Sequence, residues 1–89
     1  MRRQILVKIT GRVQGVFFRE GAKTEATRLG LAGLARNEPD GSVLVQAEGE
    51  ESDLRALLGW GRRGPETAQV ESVDYSFAEP TGLSGFQTE

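Results

Sequence analysis

Gly11-Arg12-Val13-Gln14-Gly15-Val16-Phe17-Phe18-Arg19 is the stretch from which the rest of the chain can be read. Before it, Ile5, Val7 and Ile9 alternate with Leu6, Lys8 and Thr10, the two-residue period of a strand with one apolar face. After it, Phe18, Ala22, Ala26 and Leu29 recur at helical spacing and form an apolar stripe. The stretch is therefore a glycine-bracketed loop that leaves a strand and enters a helix. Such a loop presents main-chain N–H groups that no helical carbonyl can reach, and the helix dipole adds partial positive charge at the same place. Together these favour an anion, most naturally a phosphate. Arg19 supplies a planar, permanently charged fork that matches phosphate oxygens. The terminal Lys-Ser/Thr of a Walker loop is missing, and the glycine spacing is wrong for a dinucleotide fingerprint. On these residues alone, an ordinary strand-to-helix loop with an exposed arginine remains the simpler reading.

Outward from the loop, the chain alternates between strand and helix signals. Gly30 ends the first helix in a left-handed cap. Leu31 to Glu38 reads as a second strand, and Pro39-Asp40-Gly41-Ser42 as the turn of a hairpin into a third strand bearing Val43, Val45 and Ala47. Gly49-Glu50-Glu51-Ser52-Asp53 opens a second helix with acids in its first turn, buried along Leu54, Leu57, Leu58 and Gly61 and ending at Arg62 and Arg63. Gly59 and Gly61 weaken it by about 1 kcal/mol each relative to alanine, or mark close packing on a sheet. Gly64-Pro65 stops it. Ala68 to Phe77 is a fourth strand with Val73, Tyr75 and Phe77 on one face, and the turn-rich tail carries Phe86, able to anchor a short fifth edge strand. The order βαββαβ predicts an α+β, ferredoxin-like sandwich: an antiparallel sheet with both helices on one face and the other face open to water. Residues 1–89 read as one small domain.

Composition narrows the chemistry. The chain has no cysteine and no histidine, which removes disulfides, a thiolate nucleophile, the commonest general base and the commonest metal ligand. A net charge of −2 argues against a nucleic-acid surface. The third strand, with Val43, Leu44, Val45 and Gln46, also lacks the aromatics on which an RNA-binding sheet stacks bases. No apolar run approaches membrane-spanning length and no signal peptide is evident, so a cytoplasmic protein is expected, with no membrane partner. No apolar stripe is left once the core is assigned, and a monomer is the simpler expectation. Asn37, near the end of the second strand and just before the turn, is the second candidate, because a carboxamide can hold a water by donating and accepting. Alone it is more simply a turn cap, and its reach to the loop is left open, since the third strand lies between the second and the first. Phe17 and Phe18 are expected in the core, and Trp60 partly buried near the helix end. Arg12, Arg36, Arg62 and Arg63 read as solvated. Glu50, Glu51 and Asp53 read as helix-start charges, not as a metal cluster.

Two long motifs then point to a family. Ile9 to Arg19 resembles the first signature of the acylphosphatases. Gly33-Leu34-Ala35-Arg36-Asn37, followed by Asp40-Gly41-Ser42-Val43 and Gly49, resembles the second. Leu29-Gly30-Leu31 and Gly64-Pro65-Glu66-Thr67-Ala68-Gln69-Val70 match at the expected places, so the similarity spans nearly the whole chain. Leu34 departs from the pattern, which usually has an aromatic there. The resemblance implies the same sandwich and hydrolysis of acyl phosphates to a carboxylate and inorganic phosphate, with no metal and no organic cofactor. It assigns the phosphoryl group to the loop amides of Gln14, Gly15, Val16, Phe17 and Phe18 together with Arg19, and the attacking water to Asn37. The alternative from another class is a non-catalytic module that binds an anion without turning it over.

Overall fold

In the computed structural model, which describes residues 1–89, the alternating segment forms β1 (Arg2–Arg12) and the stripe forms α1 (Phe18–Arg28). β2 (Ala32–Asn37) and β3 (Val43–Glu50) make the hairpin, followed by α2 (Glu51–Arg63), β4 (Gln69–Ala78) and β5 (Phe86–Thr88). β1 is longer at both ends than its apolar alternation, because it is a central strand paired on both sides, to β3 and to β4. The sheet order is β4-β1-β3-β2-β5. β3 does lie between β1 and β2.

Register explains the two faces. Ile5, Val7 and Ile9 stand opposite Ala47, Val45 and Val43 on one side and Phe77, Tyr75 and Val73 on the other, so one face collects the aliphatic and aromatic residues of three strands. Both helices cover that face. Ile5, Ile9, Phe18 and Leu54 are fully buried there, each contributing about 1.5–3 kcal/mol by leaving water. Phe18 meets Trp60 edge-to-face at 5.1 Å and ties α1 to α2. The rings of Tyr75 and Phe77 lie at the margin of the layer, covered by the guanidinium groups of Arg62 and of Arg3 and Arg55 respectively. Gly30 (φ 74°) caps α1 as expected, with the Leu31 N–H reaching back to the Ala26 carbonyl at 2.9 Å.

Two expectations are refined. The sheet is mixed, not wholly antiparallel, because β5 pairs parallel to β2. The cause is topological: β4 runs antiparallel to β1 and ends where β2 begins, so a tail that crosses to the far edge enters alongside β2 in the same direction. The face away from the helices is also not open throughout. At the end where Gln4, Glu48 and Ala32 stand in one row, the tail passes beneath it and buries Gln4 and Glu48. The Glu48 carboxylate accepts from the main-chain N–H groups of Thr81 (2.5 Å), Gly82 (2.9 Å) and Leu83 (2.9 Å), the Thr81 hydroxyl (2.8 Å) and the Gln4 amide (2.6 Å).

Candidate active site

The loop geometry begins at a bulge. Pairing between β1 and β4 slips between Thr10 and Gly11, and Gly11 passes so close to β4 that a Cβ would lie 2.3 Å from the Gln69 carbonyl oxygen. Beyond the bulge the chain turns over the sheet end, with Gly15 at φ 73° and Phe17 at φ 66°. No main-chain N–H from Gln14 through Arg19 donates to a protein acceptor, and the first turn of α1 has no side-chain cap. A row of free donors therefore surrounds the positive end of α1, the arrangement that binds an anion. A cleft of about 220 Å3 opens there, lined by Val13, Gly15, Phe17, Phe18, Arg19 and Glu20.

Arg19 occupies the first turn of α1 and is half-buried, its Nη1 donating to the main-chain oxygen of Glu89 at 2.6 Å. It makes no salt bridge to a side-chain carboxylate, although six ion pairs form elsewhere.

Asn37 is the last residue of β2, opposite Val43, and its Oδ1 is buried without a hydrogen-bond partner. An unsatisfied buried carboxamide oxygen is costly and suits a site that receives a donor from outside the protein. The question of reach is answered by Gln14. Its Nε2 donates to the Glu38 and Ser42 carbonyl oxygens, 2.8 Å each, on the two sides of the turn that follows Asn37. The loop and the hairpin are thus bolted together across the sheet end. On the loop's other side the Thr67 hydroxyl donates to the Val16 carbonyl oxygen at 2.5 Å. The turn itself is fixed by Asp40, which accepts from the Ser42 N–H and hydroxyl and pairs with Lys8 at 2.8 Å. The hydrogen bonds from Lys8 and then from Ser42 hold the Asp40 carboxyl well below the usual carboxylate range.

The structure therefore brings together the loop, Arg19 and the Asn37 hairpin, while the side chain of Gln14 faces the hairpin and leaves only its N–H for a ligand. Phe17 is a correction. Phe18 is in the core, but Phe17 is 71% exposed, because its left-handed backbone turns it away from the helical stripe. Thr67 and the Gln14 side chain are contributors that sequence reasoning missed. Neither carries a pattern beyond its own residue type, and their partners are main-chain carbonyls remote in sequence.

Comparison with known proteins identifies the family. The sequence profile of the acylphosphatase family matches residues 5–88. An acylphosphatase from Nocardioides sp. is 48% identical over 86 residues, covering 97% of this chain and 87% of that protein. Among solved structures, an acylphosphatase from Coxiella burnetii superposes with a TM-score of 0.94 at 34% identity, covering 99% of this chain and 93% of that one. The acylphosphatase from Bacillus subtilis gives a TM-score of 0.94 at 31% identity, covering 100% and 99%. With a family profile that spans nearly all of its length and relatives this similar across almost their whole chains, the protein belongs to the acylphosphatase family.

Proposed function

We propose that the protein hydrolyses acyl phosphates, with the N–H groups of Gln14 to Phe18 and the Arg19 guanidinium holding the phosphoryl group and Asn37 holding the attacking water. One observation carries this reading: the row of free N–H donors from Gln14 through Arg19 is tied, through Gln14 Nε2, to the hairpin that presents the unpartnered Asn37 Oδ1. Water attacks phosphorus as the bond between phosphorus and the acyl oxygen breaks. The electron pair leaves on the carboxylate, and both water protons end on the phosphate. An acyl phosphate dianion and water thus become a carboxylate and dihydrogen phosphate, and charge balances. Because a carboxylate leaves without being protonated, no general acid is required. A non-bridging phosphate oxygen accepts the water's proton, so a chain without histidine can perform the step. The protein's part is positioning and charge stabilisation.

The test is hydrolysis of benzoyl phosphate with inorganic phosphate as inhibitor, comparing wild type with Arg19→Ala and Asn37→Ala. Arg19→Ala is expected to weaken phosphate inhibition by at least about tenfold, the value of a charge-assisted contact. Asn37→Ala is expected to lower kcat by about a hundredfold with a much smaller change in phosphate inhibition. Phosphate binding without turnover by folded wild type would turn the assignment towards an anion-binding module.

A further inference from the structure

Phe17 presents a contradiction within the fold. It is the one non-glycine residue with positive φ (66°, ψ 24°), a conformation that costs an L-residue about 1–2 kcal/mol. Glycine or asparagine would sit there almost free of strain. A large aromatic could offset the cost by burying its ring, as its neighbours Val16 and Phe18 do at 8% and 1% exposure, yet Phe17 is 71% exposed. Its ring makes no aromatic pair and is covered by no cation, unlike those of Phe18, Trp60, Tyr75 and Phe77. The ring returns little to the stability of the fold, and Phe17 lines the cleft that also holds Arg19.

The direction of the reaction says what enters that cleft. Displacement at phosphorus places the attacking and leaving oxygens roughly in line. The water side is the Asn37 hairpin, joined to the loop at Gln14, the loop's leading end. The leaving acyl group then points away from the hairpin, towards the trailing end of the loop, where Phe17 stands. We infer that the Phe17 ring is a platform for the acyl half of the substrate and selects uncharged aromatic acyl groups over small aliphatic ones. This inference rests on the acyl phosphate hydrolysis proposed above. Offset or edge-to-face packing of one ring on Phe17 accounts for about a tenfold preference.

The experiment measures kcat/KM for benzoyl phosphate and for acetyl phosphate, and takes their ratio, in wild type, Phe17→Gly, Phe17→Asn and Phe17→Tyr. Phosphate inhibition is followed in each variant as a gauge of the cradle. Glycine and asparagine both tolerate φ 66°, so the loop path is kept, and agreement between them excludes an effect of glycine flexibility. The expected result is a roughly tenfold fall of the ratio in Phe17→Gly and Phe17→Asn, and its retention in Phe17→Tyr, which keeps a ring. An unchanged ratio in the glycine and asparagine variants, with phosphate inhibition intact, would overturn the platform and leave acyl phosphate hydrolysis standing. Failure of wild type to hydrolyse either compound would remove the underlying reading itself. A wild-type dimer that Phe17→Asn converts to monomer would also overturn it, by assigning the ring to a second copy of the chain.

Discussion

At the scale of single residues, the site depends on atoms that have nothing in common but their neighbours. Gln14 is the clearest case. Its carboxamide stitches the loop to the two carbonyls that flank the hairpin turn, so in the proposed mechanism its side chain positions the Asn37 hairpin. Gln14→Ala removes two hydrogen bonds of about 1 kcal/mol each and frees the hairpin relative to the loop. The expected outcome is a fall in kcat of about tenfold or more with phosphate inhibition less affected, measured in the same benzoyl phosphate assay. That split is opposite to the one expected for Arg19→Ala. The sequence could point to Arg19 because an arginine at a helix start is legible chemistry, and to Asn37 through its place in a long motif. It could not separate the Gln14 side chain from the Gln14 N–H, since the distinction lies in where Glu38 and Ser42 come to rest. It placed Phe17 in the core for a related reason. Adjacent aromatics read alike until one of them is seen to have left-handed backbone.

At the scale of elements, periodicity carried almost everything. Each helix and strand appears where apolar spacing puts it, with ends shifted by a few residues where pairing on both sides extends β1, or where β3 continues to Glu50 and passes directly into α2. The glycines of α2 show what spacing alone leaves undecided. Gly61 faces the sheet, where a Cβ would sit 3.5 Å from the Ile9 side chain, whereas a Cβ at Gly59 would meet nothing within 4 Å. Close packing thus requires glycine at neither position, although only Gly61 lies against the sheet. Gly59→Ala is expected to stabilise the protein by about 1 kcal/mol, raising Tm by roughly 4–8 °C. Gly61→Ala places its methyl in ordinary contact beside a small void of about 10 Å3 lined by Val7, Ile9, Ala22, Val45, Leu57, Trp60 and Gly61, and is expected to stabilise by a similar amount. Thermal and urea unfolding of the two variants check both values, and a loss of stability in Gly61→Ala would show that α2 lies tighter on the sheet than these distances allow.

At the scale of the whole molecule, the tail and its anchor decide how the sheet closes. Glu48 occupies a position that alternation assigns to the solvent face, and the sequence contains no sign that Thr81, Gly82 and Leu83 will come to cover it. Burial pushes its carboxyl upward, but the donors from Thr81, Leu83 and Gln4 outweigh burial and hold it down at about 2, against an ordinary value of 4.5. A folded-state pKa below the unfolded one adds stability above the unfolded value, and that stability is lost as pH falls through the folded value. Glu48→Gln is therefore expected to lower stability by about 2–4 kcal/mol at neutral pH, with the gap to wild type narrowing from about pH 4.5 down towards pH 2. Urea unfolding across that range checks it, and a gap independent of pH would remove the carboxylate from the account. The same architecture also sets a timetable for assembly. β1, the first strand made, has its partners in β3 and in β4, where Gln4 meets Ala78 and Arg12 meets Gln69. Closing loops of that span takes conformational entropy before any pairing returns it. A chain made from its N-terminus must hold β1 unpaired on one side until β4 has been synthesised, so closure of the sheet waits on its most distant pairing.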